Sequence, residues 1–395
     1  MSIRGNLMKI LFLNYEYPPL GGGAANATHY ILREFSRMEG VEVHLVTSGM
    51  GRRYEEEHIG GSVFVHRLPI GKAKEDIHSQ SLRDIAVYSF RAFFFSWQLL
   101  AKAKKTGQPF EKTIAFFGVP CGALALFFRS YFNLPYVVSL RGSDVPGYSE
   151  KYATLYIFFA PLIRLIWKKA AAVVPNSKGL ALLAAQTSPR QAFTIIPNGV
   201  DTESFAPDAN REHDGYFRIL VVSRLTPRKG IRYLIAALAE LRPTNEKIEL
   251  WIVGDGEERA FLEQTARECG VTDVVKFFGA VPHEHLSRYY GLGDVFCLPS
   301  LNEGMSNTVL EALSAGLPIV ATVTGGTEEL VTEGENGFFV RHKSPGDIAA
   351  KLSLLLCDEN LRAQMGEASR KRALAMSWKA VAEKFLAELQ GVEKK

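Results

Sequence analysis

The sequence is poor in cysteine, which accounts for only four of its 395 residues. These four are scattered along the chain, and no two of them form a C-x-x-C pair. Disulfide-stapled domains and cysteine-rich zinc sites both need paired cysteines at short spacing. The sequence therefore predicts no disulfide framework and no zinc site, and it indicates a reducing, cytoplasmic setting.

Long apolar runs are missing as well. A membrane-spanning helix needs roughly 18 uninterrupted apolar residues, and the nearest stretch, residues 85–101, is broken by Arg91 and Gln98. The apolar run at residues 10–13 is too short for the core of a signal peptide. We therefore expect neither a membrane-spanning helix nor a secretory leader.

Two kinds of ligand motif are also lacking. No D-x-D triplet of the kind that holds a metal–diphosphate occurs, and a polar helix start explains the pair His283 and His285 better than a metal site does. The G-D-G segment at residues 254–256 lacks the third glycine of a dinucleotide-binding fingerprint. These gaps argue against a metal enzyme and against a dinucleotide-dependent oxidoreductase.

Charge is unevenly distributed along the chain. Residues 1–200 carry 23 basic and 13 acidic side chains, a balance of +10, whereas residues 201–395 carry 23 and 29, a balance of −6. A basic half indicates an anionic partner. Aromatic residues alternate with basic ones at 91–105 and 158–169, which suits an anionic membrane surface. No nucleic-acid-binding motif is present.

Short β-branched runs alternate with longer helical patterns through the whole sequence. This alternation predicts parallel sheets with helices on both faces. It restarts near residue 217, after turn chemistry at residues 197–199. The sequence therefore predicts an α/β protein with two doubly wound domains, whose ligands bind at the carboxyl ends of the strands.

The segment at residues 298–322 is the most informative one. Glu303 follows a short apolar strand, and Glu311 lies eight residues later in a helix that stops at Gly316 and Pro318. Ser306 or Asn307 can cap the start of that helix. The free N–H groups of a helix N-terminus attract anions, so a ligand with a diphosphate between two hydroxylated rings fits this segment.

This arrangement resembles the E-x7-E motif of the retaining glycosyltransferases of family four, which have the GT-B fold. Five further segments match that family in the same order, at residues 9–23, 217–230, 251–256, 277–282 and 325–329. The resemblance implies two Rossmann-like domains with parallel sheets facing across a cleft. It assigns residues 1–198, with a crossover helix at 377–395, to the acceptor and residues 199–376 to the nucleotide-sugar donor.

The resemblance also implies the roles of individual residues. Arg224 and Lys229 would stabilise the charge of the departing diphosphate, Glu303 would position the donor sugar, and Glu311 would accept hydrogen bonds from the ribose hydroxyls. The remaining donor-binding positions would be Gly22, Gly23, Arg141, Gly279, Val281, Met305, Ser306 and Asn307.

The segment that begins at Arg141 departs from the family pattern. Many relatives have a histidine here that contacts the donor sugar, whereas arginine cannot act as a base. Arg141 could bind a phosphate or carboxylate instead. Asp144 is then the candidate that orients or deprotonates the acceptor hydroxyl, although a helix cap is an equally open interpretation of this residue.

The function implied by the resemblance is retaining, metal-independent hexosyl transfer from a UDP- or GDP-linked sugar, with no other cofactor. The acceptor would be a glycan or lipid-linked hydroxyl in polysaccharide, lipopolysaccharide or glycolipid synthesis. The protein would be cytoplasmic and peripheral on the inner face of the cell membrane. Two alternatives stay open, namely a nucleotide-sugar epimerase and a non-catalytic nucleotide-sugar-binding or membrane-scaffold protein on the same fold.

Overall fold

The computed structural model describes residues 7–72, 80–148, 153–208, 214–242 and 247–391. The chain divides into two compact units, one formed by Met1–Asn198 with Trp378–Lys395 and the other by Gly199–Ser377. Each unit contains one largely parallel sheet with helices in its connections. The predicted α/β class with two doubly wound domains is therefore confirmed.

The described residues of the first unit form seven strands and, up to residue 187, five α-helices. Its strands are β1 (Met8–Leu13), β2 (Val41–Gly49), β3 (Glu55–Ile59), β4 (Val63–Pro69), β5 (Lys112–Phe116), β6 (Tyr136–Leu140) and β7 (Ala172–Pro175). Its helices are α1 (Gly23–Phe35), α2 (Leu82–Lys105), α3 (Ala123–Phe132), α4 (Ala153–Lys169) and α5 (Lys178–Thr187). The strands lie in the order β3-β4-β2-β1-β5-β6-β7.

Within residues 199–208, 214–242 and 247–377, the second unit forms six strands and six α-helices. Its strands are β8 (Phe217–Val222), β9 (Ile248–Val253), β10 (Val275–Gly279), β11 (Val295–Leu298), β12 (Ile319–Thr322) and β13 (Gly337–Val340). Its helices are α6 (Ile231–Leu241), α7 (Arg259–Glu268), α8 (Ser287–Leu292), α9 (Asn307–Ser314), α10 (Pro345–Cys357) and α11 (Glu359–Leu374). The strands lie in the order β10-β9-β8-β11-β12-β13, and every pair is parallel.

The last helix, α12 (Trp378–Gln390), packs into the core of the first unit. The indole of Trp378 stacks on the ring of Tyr30 in α1, with centroids 5.3 Å apart. Phe385, two turns further along the helix, is almost fully buried, and its ring centroid lies 6.0 Å from that of Phe116 in β5. Burial of large aromatic side chains contributes about 1.5–3 kcal/mol each, which attaches this helix firmly to the first unit. Residues 392–395 of the predicted crossover segment lie outside the described residues.

The edge strand β3 is an addition to the predicted parallel arrangement. It pairs antiparallel with β4, from Glu55 opposite Arg67 to Ile59 opposite Val63. Three consecutive exposed glutamates occupy this edge. Charged edge strands discourage pairing with a second chain, so their composition suits the position although it hides the strand from a search for apolar runs.

The strand order places one switch point in each sheet. In the first unit the sheet is built outward in two directions from β1 and β5, and in the second unit from β8 and β11. Loops that leave the carboxyl ends of such neighbouring strands diverge and leave room for a ligand. The loops after β1 and β5, and those after β8 and β11, are therefore where functional side chains are sought.

Candidate active site

In the second unit, the loops that follow β8 and β11 are bound to each other. The backbone N–H of Leu301 donates to the carbonyl of Arg228 at 2.7 Å. Gly230 has φ +66°, and a Cβ atom there would come within 2.3 Å of the Pro299 carbonyl oxygen. Only glycine fits this contact, so the close approach of the two loops is fixed by the backbone.

Lys229 and Glu303, one from each loop, form an ion pair. The Nζ atom lies 2.7 Å from Oε2 of Glu303, and the two side chains are only 11% and 12% exposed. Burial alone would raise the pKa of Glu303, but the charges of Lys229 and Arg228 outweigh it and lower that pKa. The predicted sugar-positioning glutamate is therefore ionised at neutral pH and held by a predicted diphosphate-binding lysine.

Arg224 and the first turn of α9 complete this side of the switch point. Arg224 is exposed in the loop directly after β8. Ser306 occupies the N-cap position of α9, yet its side chain makes no capping hydrogen bond and instead lies 3.1 Å from the Thr308 hydroxyl. The predicted helix start is therefore confirmed, but its capping by a side chain of Ser306 is wrong. Met305 and Ser306 are buried, and Asn307 is half-buried.

Both carboxylate oxygens of Glu311 are hydrogen-bonded to side chains. His283 Nε2 lies 2.9 Å from Oε1, and the hydroxyl of Tyr290 donates to Oε2 at 2.8 Å. Glu311 itself is 6% exposed. A carboxylate has about four lone-pair directions, so roughly half of them remain for a ligand.

His283 carries a proton on the nitrogen that faces Glu311, because an ionised carboxylate only accepts. Burial alone would lower the pKa of His283. The hydrogen bond and charge of Glu311 outweigh this effect, and the charges of Glu284 and Asp201 act in the same direction, so that the pKa is raised. The predicted polar helix start at His283 is confirmed as a short 3₁₀ turn, His283–His285.

The predicted donor-binding positions Gly279 and Val281 lie in the turn at the end of β10. Gly279 adopts φ +72°, and its carbonyl accepts the N–H of Gly254 at 2.8 Å. Val281 is half-buried and packs against the core of the second unit. This turn therefore stands at the carboxyl end of the sheet, two strands from the switch point.

In the first unit, the predicted donor-binding positions Gly22 and Gly23 are the N-cap and the first residue of α1. The N–H of Gly22 donates to Oε2 of Glu16 at 3.4 Å. The carboxylate of Glu16 thus occupies one of the predicted donor-binding positions. A donor group that binds the Gly22 amide would displace this carboxylate.

Arg141 follows β6, and the partner of its guanidinium in the described part of the chain is an amide oxygen. Its Nη1 donates to Oδ1 of Asn198 at 2.8 Å, and its Cζ lies 3.6 Å from the centroid of the Phe116 ring. Its Nε and Nη2 atoms are buried and have no hydrogen-bond partner among the described residues. Burial lowers the pKa of Arg141 to about 9, although the charge of Asp144 opposes the shift.

Asp144 holds the backbone of this segment. One oxygen accepts the N–H groups of Arg141 at 2.9 Å and Gly142 at 3.0 Å, and the other accepts the N–H of Gly118 at 2.9 Å. Burial raises the pKa of Asp144 although these N–H groups act in the opposite direction. The bound N–H groups belong to residues that precede Asp144, and residues 142–148 form turns and bends, so the helix-cap interpretation is wrong. A catalytic role of Asp144 stays a prediction.

Three contributors to these loops were missed by sequence reasoning. His283 and Tyr290 hold Glu311, and Glu328, rather than the motif residue Glu329, accepts the Gly325 N–H at 2.9 Å. Spacing gave no signal for the first two. Among the described residues, no group of three or more His, Cys, Asp or Glu side chains could hold a metal ion.

Family comparison covers most of the chain in two adjacent matches. Residues 22–199 match the family described as glycosyl transferase 4-like domain, and residues 203–372 match glycosyl transferases group 1. The loops that follow β5, β8 and β11 fall inside these matches. The chain belongs to the group 1 glycosyltransferases of family four.

Two curated relatives illustrate the range of this glycosyltransferase family. A GDP-mannose-dependent alpha-(1-6)-phosphatidylinositol monomannoside mannosyltransferase from Mycobacterium tuberculosis is 34% identical over 53% of this chain and 58% of its own length. An uncharacterized glycosyltransferase from Methanocaldococcus jannaschii is 28% identical over 90% of both chains. The chain spans about half the length of the first of these relatives and of similar ones, which are matched over 50% to 58% of their length.

A solved structure extends the likeness to the fold of the whole glycosyltransferase chain. The sucrose-phosphate synthase from Thermosynechococcus elongatus superimposes with a TM-score of 0.82 over 97% of this chain and 98% of its own. Sequence identity is 21%, so the likeness concerns the GT-B fold alone. No helix among the described residues is long and apolar enough to cross a membrane.

Proposed function

We propose that this protein transfers a hexosyl group from a nucleoside-diphosphate sugar to a hydroxyl acceptor. One observation carries the proposal: the buried Lys229–Glu303 pair joins the two loops of one switch point, and Glu311, which is hydrogen-bonded on both oxygens, lies in the helix that follows one of these loops. The site has a carboxylate at each end, with a cation and a helix N-terminus between them. A ligand with two hydroxylated rings and a diphosphate between them matches this order of groups.

The reaction is a retaining one that needs no metal. Arg224 and Lys229 stabilise the negative charge that builds on the leaving diphosphate, the task that a metal ion performs in other transferases. Glu303 stays ionised and orients the sugar ring. Same-face transfer, in which the leaving phosphate itself assists removal of the acceptor proton, needs no basic side chain from the chain.

The donor is GDP- or UDP-linked, and GDP-mannose is the first one to test. The mycobacterial relative is named for GDP-mannose, and its alignment covers 53% of this chain. That name also suggests an inositol phospholipid as the first acceptor. The product belongs to glycolipid or cell-surface polysaccharide synthesis.

Contact with an anionic membrane is part of the proposal, through an aromatic face of the first unit. We define this face as the exposed side chains Phe90 and Phe94 of α2 with Phe127 and Tyr131 of α3. Their rings adjoin through half-buried Phe93, whose centroid is 5.0 Å from that of Phe127. Exposed apolar patches mark interaction sites.

The helix α2, which carries two of these rings, also carries exposed basic side chains. Exposed cations on α2 are Arg83, Arg91, Lys102, Lys104 and Lys105. Aromatic rings beside Lys and Arg suit the interface of an anionic bilayer. Phosphatidylglycerol vesicles should therefore retain the protein at low salt and release Phe90→Ser/Phe94→Ser, whereas Phe261→Ser, which changes an exposed ring of α7, stays bound. Equal retention of all three proteins would remove the aromatic face from the proposal, and a wild type that the vesicles do not retain would remove the membrane.

Donor binding is tested by thermal unfolding with UDP, GDP, ADP and NAD, each with chelator. A ligand at about 100 times its dissociation constant adds about 2.7 kcal/mol of stability. We expect stabilisation by GDP or UDP that persists with chelator and is lost in Arg224→Ala. Stabilisation by NAD alone, or by no nucleotide, would contradict the proposal.

A further inference from the structure

Glu311 has few exposed atoms and two internal partners, which is unusual for a residue proposed to recognise ribose. Its exposure is 6%, so a ligand can approach it from one side only. Each carboxylate oxygen gives one lone pair to the protein, Oε1 to His283 and Oε2 to Tyr290. The other lone pair of each oxygen remains, which matches the two adjacent hydroxyls of a ribose.

The two partners are themselves fixed by packing. The Tyr290 ring is fully buried, and its hydroxyl also lies 3.3 Å from the carbonyl of Thr308 in the first turn of α9. The ring of Phe205 packs edge-on against His283 at 5.3 Å and against Tyr290 at 5.5 Å. Neither side chain can rotate without disturbing this aromatic cluster, so the carboxylate plane of Glu311 is held rigidly.

We propose that His283 and Tyr290 are positioning residues that give the donor site its preference for ribose over deoxyribose. This inference rests on the proposed function. Held from both sides, Glu311 presents its two remaining lone pairs in one fixed orientation, and each accepts one ribose hydroxyl. Without either partner the carboxylate rotates, and at most one hydroxyl is accepted in good geometry.

The contrast with the next histidine supports this assignment. His285 lies two residues further along the same turn, and it is exposed. His283 is half-buried, and its side chain is directed at Glu311 of α9, which lies 28 residues further along the sequence. A polar turn alone explains an exposed histidine, but it does not explain a histidine aimed at one oxygen of a buried carboxylate.

The test compares dissociation constants of GDP and UDP with those of their 2′-deoxy and 3′-deoxy analogues, measured by isothermal titration on the full chain. Each deoxy analogue lacks one hydroxyl and therefore loses one hydrogen bond to a charged acceptor. The wild type should bind each analogue about tenfold or more weakly than the parent nucleotide. We expect Tyr290→Phe and His283→Leu to reduce this ratio to about threefold or less. His283→Gln keeps a donor and should restore most of the ratio. His285→Leu is the matched control and should leave it unchanged.

The ratio separates positioning from folding. A merely structural role would lower the melting temperature and weaken ribose and deoxyribose ligands equally, which would leave the ratio as in the wild type. That result in both His283→Leu and Tyr290→Phe would overturn the inference while the proposed function stands. A wild type that binds neither GDP nor UDP would overturn the proposed function, and this inference with it.

Discussion

Removing Lys229 should show how strongly the candidate site depends on one ion pair. Its Nζ lies 2.7 Å from Oε2 of Glu303, with both side chains about nine-tenths buried. Removing one partner of a buried pair costs about 3–5 kcal/mol, because an uncompensated charge remains. In Lys229→Met the remaining charge is Glu303, which still faces the charge of Arg228, so we expect a loss near 3 kcal/mol.

The reverse substitution should cost more. Glu303→Leu leaves Lys229 buried next to like-charged Arg228, and we expect a loss of about 4–5 kcal/mol. The double variant Lys229→Met/Glu303→Leu removes both charges and fills their volume with apolar atoms. Such replacements are often neutral, so the double variant should lie within about 1 kcal/mol of the wild type and should nonetheless have no transferase activity.

Urea unfolding of the four proteins measures these differences through a double-mutant cycle. Hydrogen exchange of peptides from β11 and α9 assigns them to the second unit. We expect a coupling energy of about 3 kcal/mol or more between the two substitutions. Single variants whose losses simply add in the double variant, or a Lys229→Met protein as stable as the wild type, would refute the reasoning.

Two further predictions concern pH and backbone packing. Burial, and after it the charge of His44, lowers the pKa of His66 to about 4 in the folded protein. Below about pH 6.5 the unfolded chain therefore binds more protons than the folded one. The free energy of unfolding should fall by about 3 kcal/mol between pH 6.5 and 4. Urea unfolding measured at several acidic pH values should show a smaller loss of stability in His66→Gln than in the wild type, and an unchanged loss in His58→Gln. Equal losses in the wild type and both variants would contradict the assignment of this pH dependence to His66. In Gly326→Ala the new Cβ would lie 2.2 Å from the Gly304 carbonyl oxygen, whereas Gly61→Ala meets no atom within 4 Å. Calorimetry should therefore show a loss of about 1–3 kcal/mol for the first variant and little change for the second, and a Gly326→Ala protein as stable as Gly61→Ala would disprove the close contact.

The strands that position the site were predictable because they are buried on both faces. Parallel strands covered by helices read as continuous apolar runs, and both β1 and β8 have that character. β5, with Lys112 and Thr113, and the glutamate-rich β3 lack this continuous apolar character. Apolar runs therefore reveal strands such as β1 and β8 better than strands that carry polar side chains.

The site itself was predictable only where its residues are close in sequence. Glu303 and Glu311 share one strand–loop–helix segment, so spacing and helix-stop residues brought them together. The partners of Glu311 come from 28 and 21 residues away, and the strand order of the sheet brings them there. No local pattern encodes such contacts, which explains why His283 was interpreted only as a polar helix start.

Asp144 shows a different limit. A Ser-Asp pair after a strand is typical both of a capped turn and of a catalytic carboxylate in a loop, and local sequence does not separate the two. The structure directs its oxygens to three backbone N–H groups. A side chain with three backbone partners stabilises the loop, whether or not it also contacts the sugar acceptor.

Sugar transfer is the most direct test of the central claim. The full chain would be incubated with GDP-mannose or UDP-glucose labelled in the sugar, with phosphatidylinositol vesicles and with chelator, and the product would be analysed by NMR. The account predicts release of the nucleoside diphosphate, transfer of label with retained anomeric configuration, and turnover at least about a hundredfold slower in Glu303→Gln. Inverted product, a requirement for metal, or tight donor binding with no transfer to any hydroxyl acceptor would contradict it.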